Sequence, residues 1–189
     1  MDSNSISLNG SVQMGLASNV YIRSVNCKTG QIREINGKNL ITKEMIRGII
    51  YLIHGEYIAN NVDSVSRNTL SVYYPKFVGL GSGTSAVAWT DTDLEIPLTK
   101  VNNDLARYGA TFDDDEIAID DVNANMIMKF RYYIPSEDLI GETISEVALF
   151  PTSSGNVPCL ARFQLDNDAF VKGQDEFIDI IWSITVKSA

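Results

Sequence analysis

The chain reads as mainly β: an antiparallel β-sandwich or jelly-roll-like domain with one N-terminal helix and an extended N-terminal arm. Three observations predict this. The last third holds three strand-like segments in succession, ISEVALF (144–150), LARFQL (160–165) and FIDIIWSITV (177–186). In the last of them Ile178, Ile180, Trp182, Ile184 and Val186 take every second position, with Asp179, Ser183 and Thr185 between them. That is the period of a strand buried on one face. Upstream, many short runs of the same kind are punctuated by turn residues, and only one segment carries a helical period.

In chain order, residues 1–19 are rich in Ser, Asn and Gly and poor in large apolar side chains, so they are expected to form a flexible or partner-docking arm. VYIRSVN (20–26) and QIREI (31–35) flank CKTG, the pattern of a hairpin. Met45, Ile46, Ile49, Ile50 and Ile53 then recur at three- and four-residue spacing, which predicts a helix over 42–54 packed on one side. Thr42 is its expected N-cap and Gly55 its end, and Gly48 inside it suggests a close approach to another backbone. Further strands are expected at LSVYYP (70–75), KFVGLG (76–81), RYGATF (107–112) and IMKFRYYI (127–134). A short helical turn capped by Thr90 or Asp91 is expected before Pro97. The organisation is then an arm (1–19), a hairpin plus helix (20–60) and a β-sandwich (61–189), with 20–189 folding as one unit.

At 189 residues the chain can bury a sizeable core without disulfides or metal. Its net charge of −9 disfavours nucleic acid and anionic membrane as direct partners and leaves proteins as the expected ones. Cys27 and Cys159 lack a nearby histidine and a CxxC spacing, so they read as two unpaired thiols in an intracellular folding compartment. The first residues have neither a basic region nor an apolar run suited to a signal peptide, and no stretch is apolar enough for a membrane-spanning helix.

Each candidate for chemistry has a structural counterpart. GLGSG (79–83) has the glycines of a phosphate loop, but Thr84 stands where a dinucleotide fingerprint needs glycine, no Gly-Lys-Ser/Thr is present, and Ser82 lacks the flanking glycines of a nucleophile elbow. A turn between strands is the expectation. The acidic knot Asp113, Asp114, Asp115, Glu116, Asp120 and Asp121 offers oxygens to calcium, with Asp113, Asp115, Asp120 and Asp121 the weak candidate ligands. Its spacing is not that of an EF-hand, and a solvated loop is expected, with no metal and no cofactor. His54 is the only histidine, and its place in the last helical turn is explained by the helix dipole. Tyr73, Tyr74, Tyr132 and Tyr133 could form a sugar platform, although adjacent tyrosines on a strand point to opposite faces. Glu146 falls on the face of Ile144, Ala148 and Phe150, where a carboxylate wants a partner, and Arg162 in the next strand candidate is the obvious one. A register-fixing ion pair is therefore expected. No nucleophile, base and orienting group can be named together, so no catalytic residue and no small-molecule substrate are expected.

The order of segments carries a further signal. GLGSG, then Asp93, Leu94 and Glu95, then a long strand, then Ile144, Ser145, Glu146, Val147, Ala148, Leu149 and Phe150, then Ala161 and Arg162, then a closing strand with Trp182, resembles a domain of many tailed-bacteriophage tail, baseplate, collar and fibre-attachment proteins. The resemblance covers about residues 76–187 and makes Gly79, Gly81, Gly83, Glu146, Arg162 and Trp182 its structural markers. Ala148 departs from it, standing where glycine is common, and a complete long fibre with a shaft and receptor-binding tip is not expected.

The resemblance implies a virion structural protein, assembled in the host cytoplasm, that forms a homo-oligomer and docks on other tail, baseplate or neck proteins. The alternative is a carbohydrate-binding β-sandwich for attachment to a host surface, using the tyrosines and the acidic loop.

Overall fold

A computed structural model describes residues 4–8, 12–53, 75–100, 102–111, 117–122, 125–155 and 157–188. The protein is mainly β. Its strands are β1 (Asn4–Leu8), β2 (Val12–Asn26), β3 (Ile32–Lys38), β4 (Leu40–Ile41), β5 (Phe77–Gly81), β6 (Arg107–Thr111), β7 (Ile117–Asp120), β8 (Asn125–Ile134), β9 (Thr143–Ile144), β10 (Glu146–Phe150), β11 (Ala161–Gln164), β12 (Phe170–Val171) and β13 (Glu176–Ser188). The helix α1 (Lys43–Ile53) follows β4.

Among the described residues every strand pairing is antiparallel. One eleven-stranded sheet runs β1-β2-β13-β8-β6-β5-β10-β11-β4, with β3 also on β2 and β7 also on β8; β9 and β12 form a separate pair. Where the sequence suggests a sandwich or jelly roll, this single sheet nearly closes into a barrel. Two bends bring that about. β6 pairs with β5 through Arg107–Gly109 and then with β8 through Ala110 and Thr111. β3 pairs with β2 as far as Lys38, and two residues later Leu40 pairs with Arg162 of β11, so one nearly continuous stretch spans the two halves. Strands that bend from one layer to the next are how a sheet turns a corner.

The long antiparallel ladder β2–β13–β8 is the frame, with Trp182 opposite Val20 on one side and Phe130 on the other. Ile178, Ile180, Trp182 and Ile184 are buried, as alternation requires, and Ile22, Tyr132, Ile134 and Leu149 pack with them. The Trp182 indole N–H donates to Ser18 Oγ at 2.8 Å, so the one polar atom of this core side chain is satisfied.

Two sequence expectations are corrected here. Residues 4–8 and 12–19 are not a flexible arm: they form β1 and the first half of β2, and residues 14–19 pair with β13. Composition misleads because the ladder satisfies these backbone groups, while Leu16 and Ser18 contribute buried side chains to the face that holds Val20 and Ile22. The boundary between residues 19 and 20 therefore falls inside one strand. Nor is there a helix over 90–97; this stretch is irregular, with a turn at 89–90 and bends at 93, 95 and 96, and it meets β5 at a Gly81–Pro97 bridge.

Met45 and Ile46 of α1 join the main core. The Thr42 hydroxyl at the start of the helix donates to the carbonyls of Cys159 (2.7 Å) and Leu160 (3.0 Å), tying the helix to the approach of β11.

Candidate functional site

β10 is buried at every position, so both faces of this strand are covered. Val147 and Leu149 face the main core, together with Ile144, which belongs to β9. Ala148 and Phe150 meet a second cluster with Leu94, Cys159 and the half-buried Phe77. Glu146 is fully buried as well, and its surroundings form the most highly connected polar site among the described residues.

Arg162 Nε and Nη2 both lie 2.8 Å from Glu146 Oε2. Register places Ala148 opposite Arg162 and Glu146 opposite Gln164, so the pair is diagonal across β10 and β11 rather than directly opposed. The carboxylate also accepts three backbone N–H groups: Gly83 (3.0 Å) and Ile96 (3.0 Å) on Oε1, and Glu95 (3.1 Å) on Oε2. Arg162 spends its other donors on Asp91 Oδ2 at 2.8 Å and, more weakly, on Ser85 O and Oγ at 3.3 and 3.4 Å. Burial pulls the Arg162 guanidinium down, but hydrogen bonds to Asp91 and attraction to Glu146 outweigh it, and its pKa rises. A buried pair needs such complete satisfaction to hold its charges.

The glycine-rich turn is built onto this pair. Its amides form an anion-binding concavity of the kind a phosphate would use, but the anions are the protein's own. Gly83 N–H is held by Glu146, while Thr84 and Ser85 N–H donate to Glu95 Oε2 at 2.6 and 2.7 Å. Those hydrogen bonds, from Ser85 first, hold the Glu95 carboxyl below its ordinary pKa. Gly83 O accepts Ser145 Oγ (2.7 Å) and Gln164 Nε2 (3.0 Å). The three glycines are required by close approach. A Cβ on Gly81 would stand 2.5 Å from Glu146 Oε1, one on Gly79 2.6 Å from the Phe150 ring, and one on Gly83 against Glu95 and Glu146.

Gly81→Ala is therefore expected to cost about 1–3 kcal/mol by overpacking against a pinned side chain. Gly109→Ala, whose Cβ would meet only Phe77 at 3.7 Å, should stay within about 0.5 kcal/mol of the parent. Equal urea midpoints for the two variants would refute this account of the turn.

Arg107 extends the site. It is buried, stacks its guanidinium 3.7 Å from the Phe150 ring centroid, donates to Thr152 O and Gly155 O, and lies 3.8 Å from Asp93 Oδ1. Asp91, Ser85 and Arg107 carry no signal in the sequence that ties them to this site, because each reaches it from a distant segment. Cys159 is also here, donating to Asp91 O at 3.6 Å, and burial pushes its thiol up to about 12, with Asp91 and Asp93 acting in the same direction. Cys27 is exposed, and both cysteines are free. A thiol reagent should modify one cysteine per folded chain and two after denaturation; two in the folded protein would contradict the burial of Cys159.

His54, Tyr73, Tyr74 and Asp113 to Glu116 lie outside the described residues. Asp120 ends β7 and Asp121 is exposed in the following turn, and among the described residues no group of three His, Cys, Asp or Glu could hold a metal. Tyr132 points inward and donates to Pro75 O at 3.0 Å, whereas Tyr133 lies outside, its ring 5.6 Å from that of Phe177.

Outside the barrel, over β3, β2, β13 and β8, lies an open concavity of about 420 Å³ whose walls include Tyr21, Arg23, Glu34, Arg131, Tyr133 and Asp179. Glu34, Arg23, Asp179 and Tyr133 form one row across its four strands. The Tyr21 hydroxyl donates to Glu34 Oε1 at 2.7 Å, which raises its pKa; burial raises that of Asp179, against the pull of Arg23 and Arg131.

Among the described residues no helix is long and apolar enough to cross a membrane. Comparisons of the chain with protein-family models, with curated proteins and with solved structures each return no match.

Proposed function

We propose that this chain is a structural protein of a bacteriophage virion, part of a tail, baseplate or collar. In this reading it acts by self-assembly and by docking neighbouring tail or fibre proteins, without catalysing a reaction. The resemblance over residues 76–187 brings the virion into the reading, and one observation supports the structural role. Gly81, Gly83, Glu146 and Arg162 are buried against one another, and the exposed Glu95 is tied to them through its backbone N–H, so five of the residues that carry the resemblance sit in one connected network. Their chemistry is used up in holding the glycine-rich turn, the Asp-Leu-Glu segment and two strands as one rigid unit. Rigidity of that kind suits a subunit that must present fixed surfaces to neighbours. In fold terms, we read the two halves of the sheet, joined at the β6 and β3–β4 corners, as the layers of a sandwich or jelly-roll-like domain.

The test is to purify phage or phage-tail-like particles from a strain that carries the gene and to quantify the chain by mass spectrometry. A fixed copy number per particle, lost when the gene is deleted together with intact tails, is expected. Intact particles that lack the chain would overturn the reading.

A second reading, a carbohydrate-binding module, draws on the outer concavity, where Tyr21 and Tyr133 stand beside Arg23, Arg131 and Asp179. Aromatic faces flanked by charged hydrogen-bonding groups suit a sugar. Glycan-array binding that Tyr133→Ala abolishes would favour it, and an empty array would remove it.

A further inference from the structure

At one end of the molecule the sheet β1-β2-β13-β8-β7 runs on past the barrel core. Residues directly opposite one another in antiparallel strands share a face. Ile119, Met126, Val186 and Leu16 therefore form one row, and Ile117, Met128, Ile184 and Ser18 the next. These rows continue the face that carries Trp182 inside the barrel. Leu16 and Ile184 are still buried, but the other end of each row is not: Met126 is 39% exposed, Ile117 62% and Ile119 66%, and Val122 in the following turn is 93% exposed. A core face that runs out into solvent on an edge strand calls for a partner.

Both edges of this sheet end are open among the described residues. β1 pairs with β2 alone and β7 with β8 alone. β7, Ile-Ala-Ile-Asp, contains neither proline nor lysine, the usual protections of an edge. Charge selects what meets it. Ile117 directly follows Asp113, Asp114, Asp115 and Glu116 in the chain, and Asp120 and Asp121 follow closely, so a second copy's β7 would bring like charge against like. The other edge is different, because residues 3–22, which include β1 and most of β2, contain no Asp, Glu, Lys, Arg or His in a chain of net charge −9. Counting the antiparallel steps across the five strands, β1 and β7 run in the same direction.

We infer that the β7 edge receives the β1 edge of a second copy of this chain, extending the sheet from molecule to molecule in a head-to-tail contact. Such a contact is heterologous: it closes into a ring if the rotation permits and grows into a filament if it does not. The inference rests on the self-assembly part of the function proposed above and names the surfaces involved.

Three proteins test it by size exclusion with light scattering: the parent, a variant lacking residues 2–8, and a double variant with Ile117→Lys and Ile119→Lys. Circular dichroism and melting first establish that each variant is folded. The parent should exceed the monomer mass, each variant alone should be monomeric, and an equimolar mixture of the two should form a one-to-one pair, because each retains the edge the other has lost. A monomeric parent, a variant of parental mass, or a mixture that stays monomeric overturns the inference. So does a monomeric parent whose β7 amides resist hydrogen exchange, since the strip would then be covered by the chain itself. Failure here differs from failure of the proposed function. A chain that is monomeric in solution yet present in particles refutes the contact alone, whereas a chain that self-associates but is missing from particles refutes the virion role alone.

Discussion

Arg162→Met should destabilise the protein by about 3–5 kcal/mol, the usual cost of leaving a buried charge without its partner. Glu146 is fully buried and would keep only the N–H groups of Gly83, Glu95 and Ile96. Asp91 would lose the guanidinium as well. Glu146→Gln should cost less, because Arg162 retains Asp91 and the amide oxygen can still accept a backbone N–H. The double variant decides the matter: its loss should fall short of the sum of the singles by at least about 1 kcal/mol, the coupling expected of residues in contact. Additive losses in urea denaturation would mean that the 2.8 Å contacts of Arg162 with Glu146 contribute nothing to stability. The variants also probe the glycine-rich turn. Gly83 N–H and Ile96 N–H share Glu146 Oε1, so loosening that carboxylate should speed hydrogen exchange at both amides more than at Val147 in the strand itself.

Trp182→Ala is expected to be of comparable size, about 3–5 kcal/mol, from lost burial and the cavity left behind. Trp182 has no exposed surface, lies mid-way along the longest ladder, and donates to Ser18 Oγ. Trp182→Phe should cost less, since a ring still fills part of the site, though Ser18 Oγ then loses a donor. Fluorescence gives a direct measurement, because the chain has two tryptophans and the other, Trp89, is 42% exposed. The parent's blue-shifted emission should disappear in Trp182→Ala and persist in Trp89→Phe. A Trp182→Ala protein that melts with the parent would place the indole outside the core.

The burial of β13 was legible because Ile178, Ile180, Trp182 and Ile184 record the strand's own period, which needs no knowledge of the neighbours. The partner of Glu146 was legible for a related reason: two strands adjacent in the chain and joined by a short turn bring their residues within reach. For residues 12–19 composition misleads. Small polar residues cannot drive folding on their own, but a pairing ladder with β13, far away in sequence, supplies what composition lacks. GLGSG is expected to be a turn, but Gly79 and Gly81 lie within β5, and the reason for the glycines is not local: the atoms that exclude a Cβ belong to Phe150 and Glu146, more than sixty residues later, and at Gly83 to Glu95 as well.

By itself the sequence determined that the chain is mainly β, which strands have one buried face, and which charged pair must share the interior. Those properties are set by side-chain alternation and by short-range connection. Only the tertiary structure decided that the sheet curls nearly into a barrel, that the first strands complete it, that Asp91 and Ser85 join the Glu146–Arg162 pair while Arg107 packs beside it on Phe150, and that an apolar row runs out onto the open β7 edge. Each of these depends on which strands lie side by side, and strand order is a long-range outcome that local periodicity does not encode.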